Sequence, residues 1–376
     1  MIYKLAQLFT DKEKVRAMVI FFFVAIGAGL EVVSLATLAA LISLFLDGDP
    51  EVYKWIVEVK LLNVSNKLEL IQILGIVVVV LFLLKNIYLL MVNYILHKFI
   101  YNKYTKISTQ LLKSYIEMPY INHLQTNSSF LQRNINTEVF WVFANIMIPG
   151  VTLLTELVIV ISIVIALMYV DLVNTLIFGF SFGLVLSLTM ILIKKKMDAL
   201  GLISQNYFGE MIKSVNQSLG GIKLTKVSNS TKYFVDVFQS NVNRYSNNTS
   251  NLKNISQWPR YFIEVIVVFG IVIATIATTY GNLDSDISLV QLSFFGFAAV
   301  RLMPSFNRIT SSYTNIRYYS ASLDVVCNEL DNSSNIKQHS DKKQDSCITF
   351  DKDIEFKDVS FIYPETIKHS INNISF

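Results

Sequence analysis

The sequence predicts an all-α membrane fold of six transmembrane helices with long helical extensions outside the bilayer. The first β-hairpin of an incomplete α/β domain follows. Three observations predict it. The 376 residues are 53% hydrophobic and 16% charged, with mean hydropathy +0.47, whereas about a quarter of a soluble domain is charged. The apolar residues gather into runs that reach the roughly 18 residues needed to span a bilayer. The second and fourth of these runs continue into polar sequence with almost nothing to break a helix.

The six spans fall at about 17–46, 68–97, 139–169, 172–193, 255–280 and 287–308. The N-terminal segment MIYKLAQLFTDKEKVRAM has the basic character of a signal-peptide start. The apolar run behind it continues to Leu46, far longer than the 7–15 residues of such a signal, so it reads as a retained first span. The connections are unequal. Segments 47–67, 170–171 and 281–286 are short, whereas 98–138 and 194–254 are long. The long ones carry the cations: Lys98, Lys103, Lys106, Lys113 and Arg133 in the first, and Lys194, Lys195, Lys196, Lys213, Lys223, Lys226, Lys232, Arg244 and Lys253 in the second. The short loops offer Asp47, Asp49, Glu51, Glu58, Asp284 and Asp286. Cationic loops stay in the cytoplasm, which puts both long segments and both termini there.

From Leu68 to Glu117 the chain has no proline and, besides Gly75, no glycine. One helix of that length measures about 75 Å, more than twice the hydrocarbon thickness. The stretch from Leu172 towards Leu219 reads the same way. Each projecting hairpin has a tip. Pro119 breaks the first within Glu117-Met118-Pro119-Tyr120-Ile121-Asn122-His123, and Gly220-Gly221 breaks the second before Ile222-Lys223. Two levers reaching out of the membrane at matching places imply something there to contact.

Three cations fall inside spans: Lys85, Arg260 and Arg301. Such residues are costly in a bilayer and default to a functional reading. By helix rise they sit at different depths, a trail down a wall rather than a ring. The competing reading is ion pairing. Glu264, four residues beyond Arg260, shares its helix face, and Glu31 and Glu156 are candidate partners for Lys85. Pro304, three residues beyond Arg301, is expected to kink the sixth span. In the outer loop, Val52, Trp55, Ile56 and Val59 share one face of a short amphipathic helix.

Composition excludes several classes. The net charge is +4, and no block of like charges suits nucleic acid. Cys327 and Cys347 are too few for a disulfide framework and read as free thiols. The four histidines form no metal-ligand set. Residues 331–352 are polar, and the linker is placed at 326–352. Alternation of apolar and polar residues from Ile354 to Tyr363 then signals a strand.

The segment IEFKDVSFIYPETIKHSINNISF resembles the first hairpin of ATP-binding-cassette (ABC) nucleotide-binding domains. The resemblance implies ATP and Mg²⁺ as cofactors of a longer protein, with Tyr363 stacking on adenine. No G-x-x-x-x-G-K-[ST] occurs. In that family the loop lies a dozen or so residues beyond the position of Phe376, so this chain is expected not to hydrolyse ATP by itself. Residues 1–325 resemble exporter-type (type-1) ABC transmembrane domains, and among them bacterial lipid-linked oligosaccharide flippases. The residues that carry this are Gly29-Leu30-Glu31-Val32-Val33-Ser34-Leu35, Pro119-Tyr120, Gly220-Gly221-Ile222-Lys223 and Arg301-Leu302-Met303-Pro304-Ser305. The resemblance implies a homodimer in the bacterial inner membrane that moves a polyprenyl-pyrophosphate-linked substrate. Lys85, Arg260 and Arg301 would line its cavity. Pro119, Tyr120, Asn122, His123, Gly220, Gly221 and Lys223 would couple to the nucleotide-binding domain. An exporter of peptide, drug or lipid A-type lipid, an inactive fragment and a non-transporting receptor remain alternatives.

Overall fold

A computed structural model describes residues 2–45, 67–170, 172–280, 285–340, 353–362 and 369–376. The outer-loop helix expected at 52–59, Cys347 and Tyr363 lie outside them. Among the described residues the fold is almost wholly helical. A short α1 (Ile2–Gln7) precedes α2 (Asp11–Phe45) and the 50-residue α3 (Lys67–Ile116). After a break come α4 (Tyr120–Gln125), α5 (Ser128–Arg133), a π-helical turn at Asn134–Glu138, α6 (Val139–Val142), a second π-helical turn at Phe143–Met147, and α7 (Ile148–Val170). Then follow α8 (Leu172–Gly220), α9 (Ile222–Val227), α10 (Thr231–Tyr280), α11 (Ser285–Tyr318) and α12 (Ser320–Ser340).

Three helical stretches among the described residues are long and apolar enough to cross a membrane: Asp11–Ser34, Ile71–Ile116 and Ser128–Ile165. The other three expected spans lie within α8, α10 and α11. Pro259 and Pro304 both sit inside helices that continue past them, as prolines do where neighbouring helices support the freed carbonyls.

Antiparallel packing of α2 on α3 sets the membrane level. Tyr88 Oη donates to the Phe23 carbonyl at 2.9 Å. Gly27 lets α3 come close, since a Cβ there would meet Leu89 Cδ2 at 2.8 Å. Further along the same pair, Glu13 receives hydrogen bonds from both Lys103 and Lys106, the latter at 3.0 Å. On α3 the buried side chains Val78, Lys85 and Val92 recur every seven residues along the α2-facing seam, while Val79, Leu83, Ile87, Leu90 and Met91 point outward as lipid-facing positions do.

Among the described residues, two of the three buried clusters separate the membrane level from the extensions. Ala28, Ile159, Ile163, Leu167, Ile263, Leu302 and Phe306 join α2, α7, α10 and α11. In the extensions, Ile100, Ile107, Leu111, Val139, Val142, Phe143, Leu323 and Val326 join α3, α6, the second π-helical turn and α12. Each large apolar side chain fully buried in the extensions contributes about 1.5–3 kcal/mol. The polar stretch assigned to a linker from residue 326 is helical as far as Ser340. Its first residues pack because Val326 and Cys327 continue the buried face begun by Leu323.

Residues 334–376 form a separate unit. Within it β1 (Val359–Phe361) pairs antiparallel with β2 (Ile371–Ile374). Phe356 and Phe376 exchange backbone hydrogen bonds at 2.8 and 3.0 Å and stack their rings 4.7 Å apart. Asp358 and Asn373 adopt positive φ, 49° and 46°. Of the strand expected from Ile354 to Tyr363, only Val359–Phe361 is strand among the described residues, and its register shifts between Val359 and Phe361.

Candidate substrate cavity and coupling tips

Ion pairs dominate the membrane level. Arg301 on α11 pairs with Glu31 on α2, and their side chains are 17% and 14% exposed. Seven residues further along α11, Arg308 pairs with Glu156 on α7, whose side chain is buried. Arg260 and Glu264, neighbours one turn apart on α10, pair at 3.0 Å as their spacing predicts, and both are largely exposed. Glu31 and Glu156, the candidate partners for Lys85, instead each go to an arginine of α11. A guanidinium reaches a carboxylate on a neighbouring helix with a planar fork of donors, a stronger match than a lysine point charge.

Lys85 is only 8% exposed. Its ammonium lies over the Phe82 ring, 4.4 Å from the centroid. Among the described residues it has no carboxylate partner. The ring face gives it some electrostatic relief.

Sequence reasoning missed Arg308. Two helical turns from Arg301, it shares that residue's face, and this spacing was the available signal. It also missed a buried polar group in the extensions. Glu138 is 0% exposed and lies 3.2 Å from Arg133 Nε, with Gln205 Nε2 donating to its other oxygen at 2.9 Å. Arg133 stacks its guanidinium 4.8 Å from the Phe130 ring centroid. Arg133 and Glu138 are five residues apart, a spacing that an ordinary helix does not bring face to face. The π-helical turn at Asn134–Glu138 does. Close by, Asn134 Nδ2 donates to Tyr115 Oη at 3.2 Å, and Tyr115 donates to Glu329 at 2.8 Å. This chain of bonds ties α3, the π-helical turn and α12 together.

Both tips are helix breaks. Pro119 (φ −53°, ψ 140°) separates α3 from α4, because proline disfavours helical backbone in the residue before it. Gly221 (φ −99°, ψ 28°) separates α8 from α9. Apolar side chains stand out at both tips: Tyr120 and Leu124 on α4, Leu219 at the end of α8, and Leu224 and Val227 on α9. Asn122 and His123 lie on α4, and Lys223 is the second residue of α9. Gly220 has open space where a side chain would be.

For a nucleotide the described hairpin supplies strands and a stacked phenylalanine pair, and no phosphate cradle.

Long paired helices, cations buried among apolar spans, and helix-break tips beyond them define a multi-pass membrane transport domain. The model of the ABC transporter transmembrane region matches residues 17–305. The chain belongs to that family and is a membrane-embedded transport subunit.

Proposed function

We propose that this subunit serves an ATP-driven exporter or flippase that moves an amphipathic anionic lipid, of the lipid-linked oligosaccharide kind, out of the cytoplasmic leaflet. The observation that carries the reading is the set of cations within the spans. Lys85 on α3 is buried and Arg301 on α11 nearly so, with Arg308 on α11 and Arg260 on α10 more exposed, and cations within spans are costly and mark functional sites. Arginine suits a pyrophosphate because its fork bonds two phosphate oxygens at once.

Six spans from each of two identical chains would enclose the cavity. Nucleotide-driven closure of the cytosolic domains would reach the spans through the tips around Pro119-Tyr120 and Gly220-Gly221. The exposed apolar residues there support this reading, since such side chains cluster where a partner docks. ATP and Mg²⁺ would bind residues of the nucleotide-binding domain, with Tyr363 against the adenine. The basic loops support six spans with both termini in the cytoplasm, and the resemblance to bacterial flippases implies the bacterial inner membrane.

The test is reconstitution of the full-length transporter in liposomes with a labelled polyprenyl-pyrophosphate sugar. Translocation is expected to depend on ATP and to fall at least tenfold in Arg301→Ala, the loss of one bidentate charged contact. Unchanged translocation in Arg301→Ala sinks the anionic-lipid reading.

A further inference from the structure

Helix register brings Lys85 level with Glu31, the partner of Arg301, closer in depth than helix rise along the separate spans implied. Gly27 of α2 abuts Leu89 and Tyr88 of α3, and the two helices run antiparallel. Advancing four residues from Gly27 reaches Glu31, and stepping back four from Leu89 reaches Lys85. Each step is about 6 Å along its axis and returns to nearly the same face. Glu31 thus stands on the side of α2 that meets α3, level with Lys85. The heptad Val78, Lys85, Val92 lines the corresponding side of α3.

By this register one carboxylate stands on the face of α2 turned towards Lys85 while it holds a cation of another helix. It is bonded to Arg301 of α11. Lys85 is more than nine-tenths buried and has only the Phe82 ring face. A buried ammonium without an anion is costly. The cluster holds a net charge of +1, one anion short of neutrality. The same carboxylate has a second acceptable resting place at no cost in charge pairing.

We propose that Glu31 is a specificity-determining residue that occupies Arg301 as a stand-in for an anionic headgroup. It moves to Lys85 when a phosphate or pyrophosphate takes the guanidinium. The exchange makes the site selective. A neutral lipid has nothing with which to displace Glu31, whereas a dianionic phosphate outcompetes a single carboxylate for the fork and leaves Lys85 neutralised as well. The pairing also keeps Arg301 from sitting uncompensated in the empty cavity. This rests on the anionic-lipid reading above and adds the residue that sets headgroup charge preference.

The test uses the full-length transporter in nanodiscs, with polyprenyl pyrophosphate as probe and the matching polyprenyl alcohol as neutral control. Arg301→Ala is expected to weaken pyrophosphate binding, and Glu31→Gln to tighten it about tenfold, the worth of one charged hydrogen bond, without changing alcohol binding. Lys85→Met is expected to weaken pyrophosphate binding, and to do so less when Glu31 is already glutamine, since the carboxylate no longer needs a place to go. If Arg301→Ala weakens binding but Glu31→Gln leaves it unchanged or weaker, the stand-in role is overturned while the cavity reading survives. If Arg301→Ala has no effect, the cavity reading fails and takes the inference with it. Should Glu31→Gln not fold, Glu31→Asp draws the carboxylate back by one methylene. It is expected to bind pyrophosphate several-fold tighter, and binding no tighter than the parent overturns the proposal on its own.

Discussion

Glu31 of the first span pairs with Arg301 of the last long helix, 270 residues away in sequence. The pair fastens α2 to α11 at the level where Ala28, Leu302 and Phe306 pack. Removing one partner of an enclosed pair costs about 3–5 kcal/mol, because it strands the other charge. Arg301→Ala is thus expected to lower the thermal midpoint of the detergent-solubilised protein. The charge-reversed double variant Glu31→Arg, Arg301→Glu is expected to recover most of it. Recovery of stability without recovery of anion binding separates the fastening role from the binding role.

Glu138 makes a second prediction. It is fully enclosed, with Arg133 as its counter-charge and Gln205 donating to one of its oxygens. Glu138→Ala leaves a buried guanidinium without a counter-charge, so about 3–5 kcal/mol is lost, measurable as an earlier unfolding midpoint in denaturant. An exposed pair such as Lys213–Glu210 provides the contrast, since its removal costs about 1 kcal/mol or less.

Gly201 supports the close crossing of α8 and α11. A Cβ there would run into the Tyr318 carbonyl, which lies at the break between α11 and α12. Backbone cannot step aside as a flexible side chain can. Gly201→Ala is expected to destabilise by about 1–3 kcal/mol, as overpacking does, with reduced yield of folded protein on size-exclusion chromatography. The glycines Gly179 and Gly183, earlier on α8, face open space and should accept alanine with little loss.

Cys327 is buried, and its thiol lies 3.8 Å from the Lys4 carbonyl. Burial pushes its pKa above the ordinary value, more than Lys4 nearby lowers it. The thiolate is the reactive form, so less of it is present at pH 8 than for a free cysteine. In a Cys347→Ser background, maleimide labelling of the native protein is expected to be slow at pH 8, to accelerate as the pH rises, and to become fast on denaturation. Rapid native labelling at pH 8 contradicts this.

The tips give a functional prediction. Tyr120 and Leu224 are among the most exposed apolar side chains of the molecule, so replacing either by alanine should change stability by about 0.5 kcal/mol or less. If the tips transmit nucleotide-domain closure, Tyr120→Ala and Leu224→Ala will uncouple ATP hydrolysis from transport in the full-length protein. Hydrolysis would continue while translocation falls.

The amino-acid order alone determined the helical membrane class, the lengths of α3 and α8, and the breaks at Pro119 and Gly220-Gly221. Those features are local: apolar runs, helix continuity and proline or glycine chemistry are all written within a few turns of chain. The Arg260–Glu264 pair was legible for the same reason, being one turn apart. Which carboxylate meets which cation was decided only by the tertiary structure. Glu31 meets Arg301 and Glu156 meets Arg308, leaving Lys85 without a carboxylate among the described residues, because helix register and crossing bring together residues more than a hundred positions apart. The Arg133–Glu138 contact shows the same limit at short range, since a π-helical turn had to widen the helix before a five-residue spacing became a contact.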